Sequence, residues 1–499
     1  MFLASPSYAQ DGEEEADVVW TQPIPISSSR PSSWFPDIAV DETGMIHVVW
    51  SSGVSVVVAD GMQDAYDVVM YTSSLDGLTW NDPIDIFSSP NPGYGAYEVT
   101  RPTVHSFREG VLNMTYRYLD VFYAYAPIDQ VNFASAKPSV RQMSSSSSSY
   151  YSQLARDSQG VFHLIFTENV YTEQCPNCYH LFYRRSPDNG NEWPVLQDIS
   201  LLPAGSGKPQ ILIDDKDNVH MVWESGRGGG LGQLSDPTSV KYAVSYDSGD
   251  SWSLPFEFPS PGGRARNPAL GITGTNQLIT VWLGLPEARV YYQISNNRGL
   301  SWSEPAPIPG IYGVESRLDS YAMITDSAGN VHLVTVGRQN PQQQSLEILH
   351  TTWSVMNEEW SDPSIIETYP GDEPEWPRLA IGNGNQLHLT WFVRDQEHIF
   401  ESDAGRYQVW YASAMLDAPV EEFDPEERPE PTHQPEAVFT MTASPAPAAT
   451  EPAGFDSDLP LNPNLESMES QIILVLLRNL APVAAILFLG VLLVRLFKR

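Results

Sequence analysis

The residues that could do chemistry fall into three sets: repeated histidines, repeated acids, and a scatter of arginines beside aromatic rings. Five histidines, His47, His163, His220, His332 and His388, occupy one position of a recurring pattern. Spread one per copy, they cannot converge on a single ion, whose ligands must all lie about 2 Å away. The pattern therefore implies no metal and no cofactor. Asp41, Asp157, Asp214 and Asp326 fall in a turn of the same pattern, where a carboxylate bonds its own backbone. The arginines are different. Arg30, Arg101, Arg266 and Arg317, with Trp34, Trp376 and Tyr321, stand outside the regular part of each copy. With 27 Lys and Arg against 62 Asp and Glu, arginines gathered at such places suggest an anionic or polar ligand. The aromatic residues suit stacking on a sugar ring.

The pattern that positions them has two halves and returns about every 50–65 residues, a period typical of repeat arrays. The first half reads Pro36-Asp-Ile-Ala-Val-Asp41, a turn with Gly44, then Ile46-His47-Val-Val-Trp50. It occurs in seven copies, each a hairpin of alternating strands around a Gly- or Asn-bearing turn. The second half has the form Ser-x-Asp-x-Gly followed by Trp, as in Ser186–Trp193 and Ser245–Trp252, with Asn297 replacing Asp in Ser295–Trp302. Two hairpins per unit make a four-stranded antiparallel sheet, and such sheets set radially make a propeller. The last unit lacks its outer strand after Tyr407–Ser413, whereas Val18–Ile26 parallels Trp80–Ile86. The expected fold is all-β: a seven-bladed β-propeller of four-stranded blades, closed by the N-terminal strand and leaving no open edges. A six-bladed ring is the alternative and would require two units to merge.

The Ser-x-Asp-x-Gly-x-x-Trp segments resemble the Asp box of the bacterial neuraminidase repeat. Through them Val18–Ser413 resembles the sialidase-like superfamily. The resemblance places the boxes on the face away from the active site. It implies an arginine clamp for a carboxylate, a Tyr–Glu pair as nucleophile and base, and an Asp as acid–base. Carried onto this chain, Arg101, Arg266 and Arg317 are the clamp candidates, Tyr321 and Glu224 the pair, and Asp60 the acid. Arg30, Trp34 and Trp376 are further substrate-binding candidates. The family's Arg-Ile-Pro start is absent; the matching region reads Arg30-Pro-Ser-Ser-Trp34-Phe-Pro36.

The rest of the chain speaks about location. Residues 1–9 look like the remnant of a signal peptide, with Ser7 and Ala9 as the small residues of a cleavage site. Residues 10–416 are the propeller. Residues 417–470, rich in Pro and Glu, read as a disordered stalk. Residues 471–499 carry the apolar block Leu480–Phe497, ending on Arg495, Lys498 and Arg499. That is the pattern of a single transmembrane helix with a cytoplasmic tail and an extracytoplasmic propeller. Cys175 and Cys178, the only cysteines, suit a local disulfide outside the cytoplasm; a metal site with His180 lacks further ligands. A net charge of −35 excludes nucleic acid as a partner. Two functions stay open: a membrane-anchored propeller recognising a glycan or other envelope component, or an exo-sialidase-type glycoside hydrolase. A scaffold for partner proteins is a third.

Overall fold

The computed structural model describes residues 18–421 except 30–31, 58–62, 92–98, 108–109, 119, 132–138, 145–147, 171–177, 201–204, 228–235, 317 and 396–406. Residues 1–17 and 422–499, which hold the expected leader remnant, most of the stalk and the apolar C-terminal segment, lie outside the described residues. Among the described residues no helix is long and apolar enough to cross a membrane.

Antiparallel strands form five four-stranded sheets and one nine-stranded sheet. The first blade comprises Ser33–Val40, Ile46–Val57, Gln63–Ser74 and Ile84–Asn91. Residues 99–142, 149–198 and 205–257 repeat it three times. The fifth sheet joins Asp372–Gly382, Gln386–Asp395 and Tyr407–Met415 to Ile24–Pro25 from the other end of the chain, with Ile24 opposite Tyr411.

The expectation of seven four-stranded blades is corrected here: the propeller has five, and residues 264–369 form one continuous nine-stranded sheet. The cause is local. Strand Ala306–Gly313 pairs at its start with Arg289–Ser295, and at its end with Val331–Arg338, where Gly313 lies opposite Gly337. A Cβ on Gly337 would sit 2.5 Å from the Tyr312 carbonyl oxygen, so the two strands meet there only because residue 337 is glycine. Periodicity counts hairpins; it does not register a strand that lends its last residues to the next unit.

Each blade turns its alternating apolar face against its neighbours, and Trp50, Trp223, Trp282, Trp353 and Trp391 are fully buried between them. A second, polar device recurs within blades. His47 Nδ1 lies 2.8 Å from the Tyr71 hydroxyl, and its Nε2 lies 3.3 Å from Asp41. His163, Tyr183 and Asp157 repeat this arrangement, as do His220, Tyr242 and Asp214. His332 takes His350 in place of the tyrosine. His388 keeps Tyr411 at 2.7 Å but has no partner at Nε2, and burial pushes its pKa down to about 4. The histidines are thus separate, and among the described residues no three His, Cys, Asp or Glu are placed to hold a metal.

Tyr183, Tyr242 and Tyr411 then reach the next blade. In each Ser-x-Asp/Asn-x-Gly turn the serine hydroxyl accepts the glycine N–H, as from Gly190 to Ser186 at 2.9 Å and Gly249 to Ser245 at 2.8 Å. The Asp or Asn oxygen accepts a later amide, such as Glu192 N–H at 2.8 Å. This holds the glycine at positive φ with its bare Cα against a tyrosine of the preceding blade. A Cβ there would fall 1.8 Å from the Tyr183 oxygen at Gly249 and 1.8 Å from that of Tyr242 at Gly299. The turn's Trp meets the same ring edge-on, as Trp252 does Tyr183 at 4.9 Å. At ring closure Tyr411 of the fifth sheet seats on Gly77 and Trp80 of the first blade.

This closure gives the first test. In urea denaturation, Gly77→Ala should lose about 2 kcal/mol or more, since φ is +69° and the new methyl meets Tyr411 at 2.4 Å. Gly44→Ala, with φ +83° and open space around it, should lose only about 1 kcal/mol. Equal losses would remove the Tyr411 contact as the cause.

Candidate functional site

The two ends of the ring differ. Hairpin turns such as Asp41–Gly44 and Ser74–Trp80 crowd one end, because Ile46 pairs with Ser74. At the other end, the mouth, the innermost strand of each blade begins, and here six of them break register. The shifts fall between Trp34 and Asp37, Thr100 and Thr103, Tyr150 and Gln153, Gly207 and Gln210, Arg266 and Ala269, and Glu375 and Arg378. Inside each bulge sits a non-glycine residue at positive φ: Phe35, Arg101, Tyr151, Lys208, Asn267 and Trp376, between 43° and 62°. Proline follows five of them, at a position that owes the ladder no N–H. Left-handed backbone costs such residues on the order of 1–3 kcal/mol each and gathers at functional sites.

Neighbouring blades hold the bulges in place. Ser51 Oγ accepts the Arg101 amide at 3.1 Å, Glu224 Oε1 the Asn267 amide at 2.9 Å, and Asp37 Oδ2 the Val104 amide at 2.8 Å. Sequence reasoning missed the bulges. Their signal was present as the recurring proline inside an otherwise regular strand pattern.

The bulge residues meet around the axis as two half-rings. One is aromatic: Phe35 lies edge-on to Trp376 at 5.1 Å, and Tyr151 stacks on Trp376 at 6.1 Å. The Arg101 guanidinium lies 4.2 Å from the Phe35 ring centre, 5.0 Å from Tyr151 and 5.3 Å from Tyr150. Arg101 has no carboxylate partner among the described residues, and its Nε is buried without one. The other half is ionic. Lys208 Nζ donates to Asn267 Oδ1 at 2.6 Å and to the Asp319 carbonyl, with Glu224 at 3.7 Å. Between the halves runs a narrow cavity lined by Arg101, Tyr151, Gln153, Lys208, Trp376 and Arg378, among others. It admits a group of carboxylate size rather than a sugar ring.

The candidate residues from the sequence separate accordingly. Arg101 and Trp376 line this cavity, and Trp34 packs nearby, edge-on to Tyr407 at 5.3 Å. Arg266 is spent on Glu315 at 3.1 Å and approaches Glu224 at 4.0 Å. Glu224 is itself buried and engaged by Lys208 and the Asn267 amide. Tyr321 is 0% exposed within the core of the nine-stranded sheet, and burial raises its hydroxyl pKa well above the usual value. No hydrogen bond joins Tyr321 to Glu224. Arg30, Asp60 and Arg317 lie outside the described residues. Cys178 is disulfide-bonded; Cys175 lies outside the described residues.

No protein-family model and no curated protein matches this chain. Solved structures similar to it include a protein of unknown function from Dyadobacter fermentans, at 12% identity and TM-score 0.47, covering 80% of this chain and 99% of that one. They also include the intramolecular trans-sialidase of Ruminococcus gnavus in complex with oseltamivir carboxylate, at 13% and 0.43, covering 80% and 97%. A polysaccharide lyase, an ulvan lyase, matches at 10% and 0.49, covering 80% and 94%. At such distance the likeness assigns no activity.

Two buried acids frame the cavity. Burial raises Asp319 well above the ordinary carboxylate range, against the attraction of Lys208. Burial likewise raises Asp37 to about 6, although Arg378 beside it at 3.6 Å and the Val104 amide favour the charged form. A raised carboxyl pKa contributes stability that is complete below about pH 4 and is lost as pH rises through about 6. Unfolding free energy of the native protein should therefore fall by about 2 kcal/mol over that window on Asp37's account. Asp37→Asn, which keeps an acceptor for Val104, should remove that share of the decline in urea titrations at pH 4.5 and 7. An unchanged slope would rule out Asp37 as its source.

Proposed function

We propose that this chain is a recognition propeller that binds an anionic saccharide over the axial mouth. The observation that carries the reading is Arg101: a guanidinium without a carboxylate partner among the described residues, held between three aromatic rings at a cavity in a strongly acidic protein. A guanidinium in that setting keeps its planar donor fork for a carboxylate of the ligand. The cavity takes that group, while Tyr151 and Trp376, stacked on each other, wall it. The hydroxyl and amide groups of Ser152, Gln153 and Gln210 line the same space and suit ligand hydroxyls.

The hydrolase reading has less support. Its nucleophile candidate, Tyr321, is sealed in the core, and its base candidate, Glu224, already serves Lys208 and a backbone amide. A nucleophile must be within hydrogen-bond reach of its base and open to substrate. The Ser-x-Asp-x-Gly turns, read as Asp boxes, fit a sialidase-like ancestry in which the fold is kept and the site differs. The location that accompanies this function is the outer side of a membrane, with the apolar C-terminal segment as anchor and Arg495, Lys498 and Arg499 on the cytoplasmic side.

Calorimetric titration with uronic- and sialic-acid oligosaccharides tests the reading. Arg101→Ala should weaken binding at least about tenfold, about 1.4 kcal/mol, and neutral parent sugars should bind wild type no better than the variant. Turnover of a fluorogenic sialoside that Tyr321→Phe abolishes would overturn the reading in favour of the hydrolase.

A further inference from the structure

The point where the nine-stranded sheet is joined carries a second, independent feature. Arg289 is the Cα partner of Tyr312, and Tyr312 is the partner of Arg338 on the next strand. Residues directly opposite in antiparallel strands project from the same face of the sheet. The three side chains therefore form one row, Arg–Tyr–Arg, across three adjacent strands. The row lies at the mouth end, since Arg289 pairs with Gly284 and the neighbouring Leu285 pairs with Arg264, where the innermost strand begins.

The row is charged and, among the described residues, unneutralised. Arg289 stacks over the Tyr312 ring at 5.0 Å, and its Nη2 donates to the Tyr312 hydroxyl oxygen at 3.2 Å. That leaves the Tyr312 hydroxyl hydrogen without an acceptor among the described residues. Neither arginine has a carboxylate within 4.0 Å among them, and Arg338 Nε is buried without a partner. Other arginines of this chain are engaged: Arg264 and Arg266 by Glu315, Arg298 by Asp214 and Asp215, Arg378 by Asp37, Arg394 by Glu373 and Glu375. Two arginines on one face, unpaired among the described residues, in a protein with more than twice as many acids as bases, are an anomaly that a bound anion removes.

Geometry narrows the anion. The strands bearing Arg289 and Arg338 are two strand spacings apart, roughly 9.6 Å, with a hydroxyl donor between them. Three donors spread over that span suit oxygens set around a tetrahedral centre better than the two coplanar oxygens of a carboxylate. Three terminal oxygens on a tetrahedral centre meet one each. We infer that Arg289, Tyr312 and Arg338 form a binding site for a tetrahedral oxyanion ester, sulfate or phosphate, at the mouth rim and separate from the axial cavity. The inference does not rest on the role given to Arg101.

Calorimetric titration of the full-length protein with N-acetylglucosamine 6-sulfate, N-acetylglucosamine 6-phosphate and unesterified N-acetylglucosamine tests it. One or both esters should bind, and the parent sugar at least tenfold more weakly; an ester preference identifies the source. Arg289→Gln and Arg338→Gln should each lower ester affinity at least tenfold. Tyr312→Phe should lower it less. Arg338→Lys, which keeps the charge and loses the fork, serves if the glutamine variant folds poorly by circular dichroism, and should fall between. Equal binding of the parent sugar, no binding of either ester, or full affinity in both arginine variants would overturn the inference.

Discussion

The ring depends on a tyrosine meeting a glycine. Each such tyrosine is fixed at its hydroxyl by a histidine of its own blade, or by Asn113 in the case of Tyr123 at 2.8 Å. Its ring edge then presses on a neighbouring turn that has no Cβ to offer, at Gly77, Gly190, Gly249 and Gly299. Hydrophobic packing between blades is non-directional and would tolerate sliding. A buried hydroxyl that must keep its partner, in a gap sized for a hydrogen atom, does not. The edge-on Trp contacts add about 0.5–1.5 kcal/mol each beyond their burial. Most consequential is the Tyr411 contact, because it joins the last sheet to the first and turns a row of sheets into a closed body.

Rigidity at the turn end explains what the mouth end can sustain. Six non-glycine residues in left-handed backbone store a cost on the order of 1–3 kcal/mol apiece, comparable in sum with the whole stability of an ordinary domain. Such strain persists only where the surroundings over-determine it. Here each bulge lies on an innermost strand whose far end is clamped by the turn network, and amides at or beside two of the bulges bond side chains of the preceding blade. What the bulges achieve is proximity. A regular innermost strand would alternate its side chains between neighbouring blades; the extra residue re-aims one of them so that Phe35, Arg101, Tyr151 and Trp376 meet near the axis.

This division sets what could be read from the sequence. The hairpin pattern, the buried Trp positions and the structural nature of His47, His163 and His220 were legible because each recurs, and recurrence reports packing. The pairing of Ile24 with Tyr411 was legible because Val18–Ile26 matches an outer strand that the last unit lacks. The number of separate blades was not, since Gly313 and Gly337 differ from other glycines only in what approaches them. At the site, Arg101 and Trp376 were visible as non-repeating residues before an innermost strand. Tyr321 looked equivalent to them by position, yet its hydroxyl is buried among Leu283, Ile311 and their neighbours, a fact that depends on long-range contacts. Tyr312 and Arg338 could not be paired at all, because the strand junction that aligns them breaks the repeat.

Charge decides how such a protein can choose ligands. A body with a net charge of −35 repels anions at a distance, and counter-ions screen that repulsion beyond about 10 Å at 0.1 M salt. Attraction must therefore act at contact, through groups whose charge the protein has not already spent. Most of the mouth's cations are spent: Lys208 and Arg266 share Glu224, and Arg378 has Asp37. Among the described residues, those left over are one amid aromatic rings at the axis and two flanking a tyrosine at the rim. For the proposed ligand, an acidic surround with isolated, oriented arginines would penalise any anion that does not reach them, so discrimination would follow where the ligand's charges lie rather than how many there are.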